Sequence, residues 1–285
     1  MELLNWLTEP FAYGFMVNAT LVTLAAAVVC GVLSCWLVLM GWALMGDAVS
    51  HAVLPGVALS FIFGVPFAIG ALVFAMLAVF LIGGLRDSSR LKSDAATGAV
   101  FTALFALGIV IVSRTPSQVD LTHILFGNVL GTGPGELAQV LILGAITLAI
   151  LLLKRKDLVL LAFDRVHAHA LGLNAKALHA LLLGLLALTV VASLQAMGTI
   201  LVVAMLIIPG ATAVLLTRSF SKMLVISVVL GLASTIVGVY ASYYFDLATG
   251  ASVVLAQAVF FAFAYLFSPR GGIIPQWRLR KTHAA

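Results

Sequence analysis

An aspartate and a histidine lie one helical turn apart in a stretch of sequence that is otherwise without charge. Asp47 is the only formally charged side chain between Glu9 and Arg86, and His51 follows it by four residues. In a helix this spacing places both side chains on one face, with their Cβ atoms about 6 Å apart. A carboxylate and an imidazole together suit a borderline divalent cation such as Mn2+, Fe2+ or Zn2+.

Pro55 lies four residues after His51. Proline has no N–H, so in a continuous helix the carbonyl of His51 loses its usual donor. The sequence therefore predicts a freed carbonyl oxygen beside the carboxylate and the imidazole. The spacing alone leaves an alternative open, in which Asp47 and His51 hydrogen-bond to each other near the membrane interface and hold no ion.

The composition identifies the setting of this pair as a membrane. Of the 285 residues, 63% are hydrophobic and only 9% are charged, and the mean hydropathy is +1.22. A hydrocarbon core about 30 Å thick is crossed by roughly 20 apolar residues in a helix. The sequence therefore predicts an all-α, polytopic membrane protein with little chain left for a soluble domain.

Breaks at charged residues and at Gly/Pro clusters divide the chain into nine apolar segments. The segments are approximately 14–43, 46–64, 66–85, 95–113, 137–153, 177–194, 199–216, 223–245 and 250–267. Segment 46–64 contains Asp47, His51 and Pro55, so it is predicted to be short, broken or re-entrant. Eight and nine transmembrane helices are therefore both open.

The basic residues are grouped. Fourteen of the fifteen Lys and Arg residues fall in four clusters, at 86–92, 154–176, 218–222 and 270–281. The clusters occupy every second connection from the third segment onward, which the positive-inside rule interprets as cytoplasmic, with the C-terminus also inside. Because the basic residues follow the membrane topology, no nucleic-acid partner is expected despite a pI near 9.5.

Three further patterns concern helix packing and the surface. Ser234, Gly238 and Ser242 recur every fourth residue, which predicts a face for close helix–helix approach. Pro209 is expected to kink its segment. The connection at 154–176 is amphipathic, and a helix there would lie either on lipid headgroups or in a groove of a soluble partner.

Several enzymatic chemistries are excluded by their missing motifs. The chain has no G-x-x-x-x-G-K-[ST] phosphate loop, so it is not expected to hydrolyse ATP itself. It also has no H-E-x-x-H pair and no G-x-S-x-G elbow. The sequence therefore favours a transport function over catalysis.

Three stretches of the chain resemble the metal-ion permease family of ABC transporters, whose members import manganese, iron or zinc into bacteria. The stretches are "GWALMGDAVSHAVLPGVAL" at 41–59, "VDLTHILFGNVLG" at 119–131, and "FDRVHAHALGLN" at 163–174 followed by "LQAMGTILVVAMLIIPGATAVLL" at 194–216. The form "LMGDAVSHAVLPG" is more similar to the manganese and iron branch than to the zinc branch. Mn2+ is therefore the expected cargo, before Fe2+ or Zn2+.

The resemblance implies an importer permease of the type II-like fold in the bacterial inner membrane, with residues 1–285 forming one transmembrane domain. A coupling region at about 157–176 and a tail at about 268–285 would be cytoplasmic. The implied partners are a second permease chain, identical or different, cytoplasmic ATP-binding subunits, an extracytoplasmic metal-binding protein and the surrounding membrane lipid. The metal is cargo, and no permanently bound cofactor is expected.

The resemblance also assigns roles to residues. Asp47 and His51 match the metal coordination site inside the channel, and two chains would together supply two carboxylates and two imidazoles. The residues matched to the region that couples transport to the ATPase are Phe163, Asp164, Arg165, Ala168, Leu171 and Gly172.

Two other functions remain to be weighed. The first is a stand-alone transporter driven by a proton or sodium gradient, which would usually place several acidic residues at membrane depth in related halves of the chain. Here Asp47 is the one clear candidate, and no repeated half is found. The second is a membrane scaffold without a transport role, which predicts that the assembled complex never binds metal.

Overall fold

The computed structural model describes residues 8–88, 92–114 and 129–268, and within them the chain is α-helical apart from its connections and two short 3-10 helices, Glu9–Ala12 and Val129–Gly131. The α-helices in chain order are α1 Gly14–Leu39, α2 Ala43–Ala52, α3 Leu54–Phe63, α4 Phe67–Ser88, α5 Ser93–Arg114, α6 Pro134–Leu153, α7 Arg155–Phe163, α8 Arg165–Ala170, α9 Ala175–Leu216, α10 Phe220–Phe245 and α11 Thr249–Phe267. The predicted C-terminal tail lies outside these residues, except for Ser268. The second stretch of the family resemblance also lies outside them, except for 129–131.

Eight helical stretches in the described part of the chain are long and apolar enough to cross a membrane. This confirms the predicted all-α, polytopic fold. Segment 46–64 crosses as two short helices, α2 and α3, which are counted as one stretch, Ala43–Phe63. The helices meet at Val53, directly before Leu54 and Pro55 at the start of α3. A proline in the first turn of a helix removes no intrahelical hydrogen bond. Pro55 therefore fits at the start of α3, and the predicted break lies just before it.

The longest helix, α9, is divided by Gly198 into a first arm, 175–197, and a second arm, 199–216. Gly198 has φ 75° and ψ 170°, a backbone conformation open essentially only to glycine. Contacts at the two ends of α9 show that its arms run in opposite directions. His179 in the first arm lies against Trp42, and Leu215 in the second arm accepts a hydrogen bond from Ser268.

Both ends of α9 lie at one end of the bundle, which we call the basic end. The Trp42 ring lies 5.2 Å from the Arg86 guanidinium carbon, and the ring centroids of Trp36 and Phe220 are 4.9 Å apart. These contacts bring together the end of α4 and the starts of α2 and α10. The first arm of α9 begins beside Trp42, and its second arm ends just before Phe220. The described members of the predicted basic clusters therefore lie at the same end.

The reversal of α9 lies at the opposite end of the bundle. A Cβ atom added to Gly250, at the start of α11, would lie 3.7 Å from Cβ of Leu201 and 3.9 Å from the carbonyl oxygen of Met197. Since α11 returns from there to Ser268 at the basic end, the arms of α9 each run the depth of the bundle. The chain therefore traverses the bundle nine times within the described residues, the upper number that the segments predicted.

Small residues bring α10 close to its neighbours, as predicted. Ser234, Gly238 and Ser242 are all buried, and a Cβ atom added to Gly238 would lie 2.5 Å from Cα of Val253 on α11. Pro209 lies within the second arm of α9, where the backbone remains helical. The marked bend in α9 occurs at Gly198, between the segments 177–194 and 199–216 that the sequence separated. A kink at Pro209 stays a prediction.

Candidate metal site

Helix α2 carries both predicted ligands on one face. Nε2 of His51 lies 3.3 Å from Oδ1 of Asp47. The other side of the helix is fixed in the core by residues that are almost fully buried, namely Met45, Ala48, Val49 and Ala52. This packing determines the rotation of α2 about its axis and so the direction in which the pair faces.

The pair opens into a cleft of about 360 Å³ between α2 and the second arm of α9. Gly46 allows the two helices to approach, because a Cβ atom added there would lie 3.1 Å from Cδ1 of Leu206. At 1.5 Å per residue, the cleft residues of the second arm lie roughly 12 to 26 Å from the end of that arm at Leu216, so the cleft extends from about the middle of the arm to the reversal at Gly198. Besides Asp47 and His51, the cleft is lined by Thr199, Ile200, Val203, Ala204, Ile207 and Ile208.

Two phenylalanines of α5 hold the imidazole ring of His51. The ring centroid of His51 lies 5.5 Å from that of Phe101 and 5.3 Å from that of Phe105, with Phe105 presented edge-on at 78°. These contacts restrict rotation of the His51 side chain and shield part of it from solvent. Sequence reasoning missed both residues, although their spacing of four residues on an apolar helix is the pattern of a shared face.

The predicted free carbonyl is not found. The backbone N–H of Val53 donates to the carbonyl oxygen of His51. The reason is local. Helix α2 ends at Ala52 and the chain turns at Val53, so His51 and Pro55 do not belong to one continuous helix. The structure therefore provides a carboxylate and an imidazole at this site, with the His51 carbonyl already hydrogen-bonded.

The site is open at the surface of a single chain. The side chain of Asp47 is 39% exposed and that of His51 is 23% exposed, and Leu44, one turn earlier on the same helix, is exposed as well. No group of three or more His, Cys, Asp or Glu side chains with metal-binding geometry occurs among the described residues. One chain thus offers two ligands of the nitrogen and oxygen types that borderline divalent cations accept, fewer than the four or more such ions usually take.

The residues matched to ATPase coupling lie together at the basic end. The predicted amphipathic helix is in fact two helices, α7 and α8, which are separated at Asp164. The carboxylate of Asp164 caps α8 by accepting a hydrogen bond from the backbone N–H of His167 at 2.9 Å. Arg165 is the first residue of α8, and Gly172 follows that helix with φ 78°.

The same region presents an apolar surface. Phe163 is 65% exposed and Leu171 is 62% exposed, whereas Ala168 is fully buried. Large exposed apolar side chains beside charged residues are typical of a surface that another molecule covers. Phe163 and Leu171 can therefore contact a partner directly, and Ala168 can act only through the packing of α8.

The fold and the site together define a polytopic helical membrane protein with a carboxylate–imidazole pair in a cleft that is open at the surface of one chain. Residues 12–268 match the model of the ABC 3 transport family. The chain belongs to this family.

Relatives with high identity cover nearly all of the chain. The chain is 49% identical over 277 residues to the manganese transport system membrane protein MntB of Synechocystis sp., covering 97% of this chain and 90% of that one. It is 48% identical over 266 residues to the chelated iron transport system membrane protein YfeD of Yersinia pestis, covering 93% and 90% of the two chains. The predicted similarity to the manganese and iron branch is thereby confirmed.

A solved structure shares the fold over its full length. The structure of PsaBC from Streptococcus pneumoniae in complex with Fab contains a chain that superposes with a TM-score of 0.86 at 38% identity, covering 98% of this chain and 99% of that one. A metal-chelate type ABC transporter in an inward-facing conformation superposes with a TM-score of 0.71 at 17% identity, covering 87% and 85% of the chains. This second likeness shows a shared fold.

Proposed function

We propose that this chain is the permease subunit of an ATP-driven importer that carries Mn2+ across the bacterial cytoplasmic membrane, with Asp47 and His51 as ligands of the passing ion. The observation that carries the proposal is that both side chains of the pair line one cleft against the second arm of α9, which a pair satisfied only by its own 3.3 Å contact does not need. A charged side chain at membrane depth costs about 2.5 to 3.5 kcal/mol. A divalent cation beside Asp47 offsets that cost.

A second permease chain completes the site. Leu44, Asp47 and His51 share an uncovered face of α2, and a half-exposed carboxylate inside a membrane needs a protein or water neighbour rather than lipid. Pairing two copies of this face places two carboxylates and two imidazoles around one axis. Such a set of four ligands matches the needs of Mn2+, Fe2+ or Zn2+. The second chain is either identical to this one or a close relative.

The energy source in this proposal is a separate pair of cytoplasmic ATP-binding subunits. They dock on the end of α7, on α8 and on the following turn, where Phe163 and Leu171 are exposed and Asp164 fixes the start of α8. This places the basic end and the C-terminus in the cytoplasm, in agreement with the positive-inside rule. An extracytoplasmic metal-binding protein delivers the ion at the opposite end.

The stand-alone, gradient-driven transporter is less well supported. Away from helix ends, Asp47 is the single acidic residue in the described membrane-crossing helices. Membership of the ABC 3 transport family also favours a nucleotide-driven mechanism. Uptake into vesicles that hold the complete complex should continue on ATP after an ionophore collapses the proton and sodium gradients. Uptake that requires a gradient and ignores ATP would reject the importer assignment.

The site assignment is tested by metal uptake in cells that carry the complete importer. We expect Asp47→Asn and His51→Gln each to lower Mn2+ uptake at least tenfold, because loss of groups that merely orient a ligand already costs about 10 to 100-fold in metal affinity. The matched control is Asp94→Asn, which removes an exposed carboxylate from the first turn of α5. Normal uptake by both site variants at normal protein levels would reject the assignment, and competition by Fe2+ and Zn2+ ranks the three ions.

A further inference from the structure

A second cleft lies at the basic end, where two membrane-crossing helices reach the boundary of the apolar region. It has a volume of about 620 Å³ and lies between α7 and the start of α10. We call it the boundary cleft. Its lining includes Arg155, Lys156, Val159, Leu160, Phe163 and Phe220.

The position of the boundary cleft is set by the end of α6. The last residues of that helix, Leu152 and Leu153, are exposed apolar side chains, and Leu153 is 83% exposed. Such a surface is suited to lipid tails. Lys154, Arg155 and Lys156 follow at once, so their charges lie where headgroups begin.

Arg155 and Lys156 give the boundary cleft a positive charge. The neighbouring lysine differs from them because it has a carboxylate partner. Lys154 is paired with Asp157, with Nζ and Oδ2 3.3 Å apart. Among the described residues, no carboxylate lies within 4.0 Å of the charged groups of Arg155 or Lys156. Arg155 is held in place, since its guanidinium carbon lies 5.7 Å from the ring centroid of Phe220 and the group donates to the hydroxyl of Ser221.

We propose that the boundary cleft binds an anionic phospholipid, with the phosphate between Arg155 and Lys156 and the upper acyl chain along Val159 and Leu160. Two cations above an apolar wall match a headgroup of net negative charge that is joined to hydrocarbon. Basic pockets between helices at this membrane depth recognise acidic headgroups. A zwitterionic lipid brings its own ammonium group and gains less from the same two cations.

The rival occupant is the ATPase, because Phe163 also belongs to the predicted coupling region. The lipid is favoured because Arg155 and Lys156 of the cleft follow almost directly after the exposed apolar end of α6 at Leu153. Free phosphate is the other source of the same anionic chemistry, but it makes no use of the apolar wall. Both rivals are separate outcomes of the test.

The test is native mass spectrometry of the full-length permease, alone and assembled with its ATP-binding subunits, titrated with phosphatidylglycerol and phosphatidylcholine of equal chain length. We expect phosphatidylglycerol to bind preferentially. Lys156→Gln should lower its occupancy about fivefold, the effect of one cation near a headgroup, and Lys156→Arg should retain it. The control is Lys176→Gln, which removes an exposed lysine at the same end of the bundle and should change nothing.

Four results would overturn the proposal. They are equal binding of the two lipids, equal loss in Lys176→Gln and Lys156→Gln, complete displacement by millimolar inorganic phosphate, and loss of the lipid when the ATP-binding subunits assemble. Because Lys156 is exposed and has no role in the metal cleft, these results are independent of Mn2+ uptake.

Discussion

Replacing Gly198 with alanine perturbs the reversal that gives α9 its two arms. At φ 75° and ψ 170° the residue occupies a region that is essentially restricted to glycine. Holding a residue with a Cβ atom there costs of order 1 to 3 kcal/mol. Gly198 is also buried, so its surroundings resist relaxation. We therefore expect Gly198→Ala to lower the free energy of unfolding by about 2 kcal/mol.

The control for this substitution lies in the same helix. A Cβ atom added to Gly184 meets no atom within 4 Å, so Gly184→Ala should be neutral or should stabilise the helix by up to about 1 kcal/mol. At roughly 2 to 4 °C per kcal/mol for a chain of this size, Gly198→Ala should lower the thermal midpoint in detergent by about 4 to 8 °C. Equal midpoints for the two variants would refute the argument from backbone strain.

Because the second arm of α9 lines the cleft that contains Asp47 and His51, we expect the strain at Gly198 to affect transport as well. At temperatures where Gly198→Ala remains folded, we expect slower Mn2+ uptake than in Gly184→Ala at equal protein levels. Uptake at the wild-type rate in a destabilised Gly198→Ala protein would show that the reversal supports the fold without positioning the cleft.

Further predictions concern packing, the metal ligand and coupling. In Gly238→Ala the new Cβ would lie 2.5 Å from a backbone atom of α11, so the free energy of unfolding should fall by about 1 to 3 kcal/mol. Gly98→Ala, with open space around it, should leave the free energy of unfolding unchanged. Equal unfolding midpoints for the two variants would argue against a tight crossing of α10 and α11. Phe105→Ala, which removes one of the two rings that hold His51, should weaken Mn2+ binding to the purified complex about tenfold in titration calorimetry. An unchanged Kd would show that His51 does not need this contact. Asp164→Ala should reduce Mn2+ uptake per ATP hydrolysed in reconstituted vesicles. Asp164→Asn keeps a capping oxygen and should preserve that ratio. Equal ratios in the two variants would show that the cap of α8 does not contribute to coupling.

Much of the architecture was predictable because membrane helices leave strong signals in a sequence. Apolar segments left eight and nine membrane-crossing helices both open, and the described residues form eight apolar stretches, the longest of which is divided at Gly198. The basic clusters predicted one shared end, where their described members lie. The pair Asp47 and His51 was identifiable because its spacing matches one helical turn and the surrounding sequence is without charge. Ser234, Gly238 and Ser242 predicted a close helix crossing for the same reason, since their spacing needs no knowledge of distant contacts.

The features that were missed depend on tertiary contacts or on the exact place where a helix ends. Periodicity does not show that Phe101 and Phe105 meet His51, because α5 follows α2 by some forty residues. The prediction that the His51 carbonyl is free was wrong, because it assumed a continuous helix through Val53. The break between segments 177–194 and 199–216 was predicted, but the positive φ of Gly198 that turns α9 there was not.

The most direct test of the central claim is magnetic resonance of Mn2+ bound to the purified permease complex. If the ion lies between the Asp47 and His51 pairs, pulsed electron paramagnetic resonance should detect hyperfine coupling from imidazole nitrogen. That coupling should disappear in His51→Gln and persist in His179→Gln, which alters a histidine at the basic end of the bundle. Nitrogen coupling that is unchanged in His51→Gln would contradict the account.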